Sequence, residues 1–221
     1  MKHINALIFD CDGVLFESRA ANLAYYNRIL AAFAYPPVTA AQQEMAHLCH
    51  TASSPQVLAG LMRQEDVPAA LAFAAQLDYR EFIPLLQPEP HLHAVLDLLA
   101  PHYPLAVATN RGSSVIPLLQ HFGLRQFFSV IVTCHDVKRP KPAPDMLLLA
   151  ARQLNRRPGD CLFIGDSEVD RSAAQAGSFH FAGYGAAFHQ GTVLRHHLDL
   201  PVCLGLPLPD VISEVSSSPG Y

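Results

Sequence analysis

Short apolar runs that each stop at polar or acidic residues constrain this chain more than any other feature. Ile4–Phe9 (INALIF) stops at Asp10, Leu105–Ala108 (LAVA) at Thr109-Asn110, and Cys161–Ile164 (CLFI) at Gly165-Asp166. Val130–Val132 and a weaker segment, His180–Tyr184, complete the set. Runs this short, without polar alternation, predict strands buried on both faces. Between them Leu92–Leu99, Ser113–Phe122, Pro144–Leu154 and Glu168–Ala176 read as helices. Strand and helix in alternation predict an α/β fold: a Rossmann-like parallel sheet with helices on both faces.

The rhythm breaks once. From Phe16 to about Leu86 no run reads as a strand, and the segment is rich in Ala and Leu (SRAANLAYYNRILAAFA, AAQQEMAHLCH, SPQVLAGLMRQ, VPAALAFAAQLDYREF). It predicts about four helices inserted after the first strand. The expected division is a core of residues 1–15 and 87–221 with a helical insert of residues 16–86. No repeat or low-complexity block interrupts either part. Ser216–Tyr221 is expected to fray.

Composition excludes several functions. Half the residues are hydrophobic and 15% are charged, unlike a disordered chain. A net charge of −4 argues against a nucleic-acid partner. No run approaches the roughly 18 apolar residues of a membrane span. The start, MKHINALIFDCDG, places acids directly after a short apolar run and has no small-residue cleavage site, so it does not read as a secretory signal. Cys11, Cys49, Cys134, Cys161 and Cys203 are scattered and form no C-x-x-C pair, which predicts reduced thiols in a cytoplasmic protein. Histidines are numerous, but His196 and His197 are adjacent and do not share a helix face, so no histidine metal site is expected.

Four polar clusters fall where ligands bind in open parallel sheets, at the carboxyl ends of strands. Asp10-Cys11-Asp12-Gly13 sets two carboxylates one residue apart before a turn-making glycine. Both can face one pocket, where a divalent cation would relieve their repulsion. One can then serve as nucleophile and the other as proton shuttle. The same pattern also makes a solvated acidic turn. Thr109 and Asn110 suit an anion at the start of a helix, and equally an ordinary helix cap by Asn110 or Ser113. Lysine is scarce, yet Lys138 and Lys141 both sit in the proline-stiffened loop KRPKPAPD. Lys141 is the better placed, because the helix follows it, although a surface loop with solvated charges reads the same way. Asp166 and Asp170 are four apart and share a side if a helix begins there; Asp166 alone could serve as a cap. Carboxylates without nitrogen or sulfur donors suit Mg²⁺. Four such clusters at one sheet edge argue jointly for an active site.

In order and spacing these residues resemble the haloacid dehalogenase (HAD) superfamily over nearly the whole chain. D-C-D-G-V-L is similar to its first motif, T-N to its second, K-P-A-P-D to its third and G-D-S-E-V-D to its fourth. The insert resembles the family's helical cap, and the nearest likeness is to the phosphoglycolate-phosphatase-like group. The resemblance implies a HAD-type phosphoric monoester hydrolase acting on a small phosphorylated metabolite. Asp10 would attack phosphorus and form an aspartyl-phosphate. Asp12 would protonate the leaving oxygen and then activate water. Asp10, the Asp12 backbone carbonyl and Asp166 would hold Mg²⁺, with Asp170 supporting through water. Thr109, the Asn110 backbone and Lys141 would hold the phosphoryl oxygens.

Relatives with other chemistries fit less well. Asp12 argues against a dehalogenase, and the insert has no lysine for the Schiff base of a phosphonatase. A sugar-phosphate mutase of the β-phosphoglucomutase kind shares both aspartates, but its fourth motif usually reads differently. A non-catalytic HAD-like binding protein would be expected to have lost a motif aspartate. Arg111 stands where such enzymes often carry a small residue. It is expected either to bind an acidic substrate group or to pair with a surface carboxylate. Arg19, Arg28, His47, His50, Arg63 and Arg80 are the insert's candidates for reading the substrate; solvated faces or core histidines are the plainer alternative. Oligomeric state and protein partners leave no mark in the sequence.

Overall fold

The computed structural model describes residues 3–208, so the tail expected to fray lies outside the described residues. The strands, in chain order, are β1 (Ala6–Phe9), β2 (Phe16–Glu17), β3 (Gln87–Pro88), β4 (Leu105–Thr109), β5 (Phe128–Thr133), β6 (Cys161–Gly165), β7 (His180–Tyr184) and β8 (Thr192–Leu194). The α-helices are α1 (Arg19–Ala32), α2 (Gln43–Thr51), α3 (Ser54–Leu61), α4 (Val67–Ala74), α5 (Leu92–Leu99), α6 (Val115–His121), α7 (Asp145–Gln153), α8 (Glu168–Ala176) and α9 (Asp199–Leu204). Six strands pair in parallel in the order β5-β4-β1-β6-β7-β8. The fold is the expected α/β architecture.

The apolar runs lack polar alternation because both faces of the sheet are covered. Leu7 and Phe9 of β1 share one core with Leu105, Val107, Leu162 and Ile164, packed under α5 and α6. Ala6 and Ile8 face the other way with Ala106, Ala108, Cys161 and Phe163, under α7 and α8. Helix α5 buries Leu92, Val95, Leu96 and Leu99, an i, i+3, i+4, i+7 stripe. β1 lies at the centre, with β4 and β5 to one side and β6, β7 and β8 to the other. This is the topological switch point, where a crevice opens at the carboxyl ends of the strands.

Helices α1 to α4 pack around a separate apolar cluster that includes Tyr26, Ile29, Leu30, Val57, Leu58 and Ala70. The chain enters this region through β2 and leaves it through β3. These two strands pair antiparallel, Phe16 opposite Pro88. Two residues a side, one of them proline, carry no periodicity, so the sequence does not announce this ribbon.

Some boundaries move. The first strand starts at Ala6 rather than Ile4, and β5 extends the run Val130–Val132 to Phe128–Thr133. Helix α6 begins at Val115, and Ser114 at its N-cap makes no side-chain capping bond, so neither Asn110 nor Ser113 caps it.

Candidate active site

β1 ends at Phe9, and the next amide, Asp10 N, donates to the Ile164 carbonyl at 2.9 Å. The end of β1 is thereby laced to β6. The chain then turns at Gly13, whose φ of +75° favours glycine. A Cβ there would lie 2.0 Å from Asp166 Oδ2, so this turn can approach Asp166 only without a side chain.

Helix α8 brings the other acids in. Ser167 is its N-cap and forms a capping box with Asp170. The box holds Asp170 Oδ2, which accepts from Ser167 N at 3.2 Å and from the Ser167 hydroxyl. Asp170 Oδ1 is left for Lys141 Nζ, 2.6 Å away. The same ammonium lies 2.8 Å from Asp10 Oδ1. Lys141 is buried, and its backbone is pinned by the Asn110 side chain at the end of β4. Lys141 N donates to Asn110 Oδ1 at 3.0 Å, and Asn110 Nδ2 donates to the Lys141 carbonyl at 3.1 Å. The Thr109 hydroxyl accepts from Arg111 N at 3.0 Å. The sequence thus places Asp10, Thr109, Asn110, Lys141, Asp166 and Asp170 at one sheet edge, as expected.

Asp10, Asp166 and Asp170 each present an oxygen, and these oxygens all lie within 4.8 Å of one another. The Lys141 ammonium lies against two of these three carboxylates, Asp10 and Asp170, so acids outnumber the fixed cation beside them. Burial, with Asp170 and Asp166 close by, pushes the Asp10 carboxyl up against the pull of Lys141. Burial also works against the Lys141 ammonium, but Asp10 and Asp170 outweigh it and hold its pKa above the ordinary lysine value. Asp10 Oδ1 is buried against this ammonium. An all-oxygen cluster in which carboxylates outnumber the fixed cation fits a hard divalent cation.

Asp12 faces a different set of partners. Arg111 grips both its oxygens: Nε donates to Oδ2 at 3.0 Å and Nη2 to Oδ1. Ser18 and Asn22 also donate to Oδ1. Burial raises the Asp12 pKa, but Arg111 overrides it and brings it down to about 2. The guanidinium also donates to Asn22 Oδ1 at 2.8 Å and lies 4.5 Å from the centre of the Tyr79 ring. The expectation of a surface carboxylate for Arg111 is therefore corrected: its carboxylate partner is the buried Asp12. The sequence did not reveal this pair because the two residues are 99 positions apart. It also missed Tyr79, and Ser18 with Asn22. The only available signal was the spacing of Ser18 and Asn22 by four, which puts them on one helix face. Removing one partner of a buried ion pair typically costs about 3–5 kcal/mol. Arg111→Ala is therefore expected to lower the melting temperature by roughly 6–20 °C for a chain of this size. Thermal unfolding checks this, and a shift below about 2 °C contradicts it.

A cavity of about 420 Å³ opens between this sheet edge and the helical insert, with Asp10, Asp12, Asn110 and Arg111 on the core side and Tyr25, His50 and Tyr79 on the other. Of the insert's six candidates, only His50 lines it. Arg19, Arg63 and Arg80 are exposed and pair with Glu17, Asp66 and Asp78. Arg28 and His47 are exposed. Burial lowers the His50 pKa, but Asp166 and Asp12 raise it further, for a net rise. The carbonyl of the next residue, Thr51, accepts from Asn110 Nδ2 at 3.0 Å and ties the insert to the core.

A parallel sheet whose switch point gathers acids and a lysine under a helical cap defines a HAD-like hydrolase. Residues 7–184 match the haloacid dehalogenase-like hydrolase family, and the chain belongs to it. It is 30% identical over 242 aligned positions to the phosphoglycolate phosphatase of Escherichia coli O157:H7, covering 92% of this chain and 94% of that enzyme. The phosphoglycolate phosphatase of Salmonella typhimurium is 29% identical over 248 positions, covering 95% and 96%. A solved HAD-superfamily hydrolase of subfamily IA, variant 1, from Geobacter sulfurreducens superposes with a TM-score of 0.79 at 35% identity, covering 90% of this chain and 99% of that one. The protein is accordingly a HAD-type phosphatase of the phosphoglycolate-phosphatase-like group, subfamily IA. Among the described residues no helix is long and apolar enough to cross a membrane.

Proposed function

We propose that the protein is a Mg²⁺-dependent phosphatase that hydrolyses a small phosphomonoester, phosphoglycolate-like or a sugar phosphate, through an aspartyl-phosphate on Asp10. We read residues 16–86 as the cap over this site and residues 1–15 and 87–221 as the core, of which residues 3–208 are described. The observation that carries the reading is Asp10 at the switch point, paired with Lys141 and clustered with Asp166 and Asp170 beneath a roofed cavity.

Asp10, Asp166 and the Asp12 backbone carbonyl would hold the cation, with Asp170 supporting through water. When bound, the cation neutralises charge on the phosphoryl group. An Asp10 oxygen attacks phosphorus, its new bond forming as the ester P–O bond breaks. Asp12 gives the leaving oxygen its proton. A water then attacks the aspartyl-phosphate, its proton passing to Asp12, and inorganic phosphate leaves Asp10. Lys141, Thr109 and the Asn110 backbone hold the phosphoryl oxygens, and this positioning with charge neutralisation is most of catalysis in phosphoryl transfer. Because Arg111 holds both oxygens of Asp12, that pair opens before Asp12 handles a proton. The free cysteines fit a cytoplasmic location, where thiols stay reduced.

A screen of small phosphomonoesters for released phosphate tests the substrate class. Exhaustive chelation is expected to abolish turnover and added Mg²⁺ to restore it; full turnover after chelation contradicts the metal assignment. With hexose 1-phosphate and a trace of bisphosphate, the expected product is free phosphate. Hexose 6-phosphate without free phosphate contradicts hydrolysis and favours a mutase.

A further inference from the structure

The phosphoryl-transfer arrangement makes no use of His50, yet the fold keeps this residue at the cavity. It lies in the last turn of α2, 9% exposed, and neither ring nitrogen has a hydrogen-bond partner. Its nearest charged neighbour is Asp166 Oδ2, 3.5 Å from Nε2. Buried polar side chains without a partner are rare, and such a group calls for a ligand or water to complete it. Among the described residues His197 is the other histidine with such an atom, and it does not line the cavity.

The side-chain hydroxyl and amide donors on the cavity's cap wall are committed, Thr51 to the His47 carbonyl and Asn22 to Asp12 among them. The Tyr25 hydroxyl donates to the Ala74 carbonyl, that of Tyr26 pairs with Ser54, and that of Tyr79 donates to Asn22. Arg111, opposite, is taken up by Asp12 and Asn22. His50 is also held in place, because the adjacent Thr51 carbonyl is bonded to Asn110 at the end of β4. A fixed, desolvated imidazole facing the space above Asp10 and Asp12 suits the part of a substrate that extends beyond its ester oxygen.

We propose that His50 is the specificity-determining residue of the cap, donating a hydrogen bond to a carboxylate or hydroxyl oxygen on the substrate's carbon skeleton. The inference rests on the phosphatase reading above and deepens it. Binding is measured by calorimetry in the Asp10→Asn background with Mg²⁺, where hydrolysis does not interfere. The probes are 2-phosphoglycolate, with a carboxylate, glycerol 3-phosphate, with hydroxyls, and ethyl phosphate, with neither. Without the His50 change, one of the first two is expected to bind tighter than ethyl phosphate, which identifies the oxygen that is read. His50→Ala is expected to weaken that ligand by about 10-fold or more and to leave ethyl phosphate within about 2-fold. His50→Gln, which keeps a donor, is expected to recover part of the loss, and it carries the test if His50→Ala fails to fold. In the active enzyme the same change is expected in KM, with kcat little altered. Equal losses for all three probes would assign His50 to the phosphoryl group or the metal and overturn the proposal. So would no loss for any of them, or no preference over ethyl phosphate before His50 is changed. Absence of turnover on every phosphomonoester would overturn the phosphatase reading alone, since the binding arm does not depend on it.

Discussion

Asp10→Asn is expected to lower turnover by about 10⁴-fold or more, the scale on which removing a nucleophile acts. The amide is close to isosteric with the carboxylate, so the side chain still fits the end of β1. It is a far weaker nucleophile and cannot form the acyl-phosphate. The fold should survive, because the buried surroundings disfavour the charged form of Asp10 in any case. A melting temperature near that of the unchanged protein, with activity lost on good and poor leaving groups alike, is the expected result. Turnover within about 10-fold of the unchanged enzyme contradicts the assignment of the nucleophile.

Lys141→Met is expected to damage both stability and catalysis. Methionine fills much of the same volume but leaves Asp10 and Asp170 facing each other without the ammonium now 2.8 and 2.6 Å from them. Breaking a buried charge pair on one side costs about 3–5 kcal/mol. Loss of one charged donor to a transferring group lowers kcat by about 10²–10³-fold. Adding Asp170→Asn should recover part of the stability, because it removes one of the two stranded carboxylates, and should not recover activity. Unfolding curves and kcat for the single and double variants check both statements. Recovered activity in the double variant would mean that Lys141 serves only to neutralise Asp170.

Much of this site is legible in the sequence because its residues sit where apolar runs stop. A strand buried on both faces announces itself by an unbroken run, as in CLFI, and its end then marks the sheet edge. Asp10, Thr109 and Asp166 are found this way. Lys141 is found because lysine is so scarce in this chain. The missing parts share a physical cause. The edge strand β8 and helix α9 are short and bordered by polar loop residues, so neither has a clear period. The grip of Arg111 on Asp12 joins distant parts of the chain, and no local pattern encodes such a contact. The cap is hardest to read. Its helices pack around their own core, and residue type alone does not tell which polar side chain turns toward the cavity. Arg19, Arg63 and Arg80 reach nearby acids at the surface, whereas His50 turns inward.

The central claim is a covalent phosphoryl group on Asp10, and the Asp12→Asn variant makes it measurable. The substitution keeps the Asp12 backbone carbonyl and removes both the acid of the first step and the base of the second, typically a loss of about 10²–10⁴-fold. An activated aryl phosphate needs little protonation of its leaving group, so the first step proceeds in part while hydrolysis of the intermediate stalls. Acid-quenched protein from this variant, digested and read by mass spectrometry, is expected to carry a phosphoryl group on Asp10. The double variant that also carries Asp10→Asn is expected to carry none. Phosphate trapped on another residue, or Asp12→Asn turning over a poor leaving group at the unchanged rate, would contradict the account.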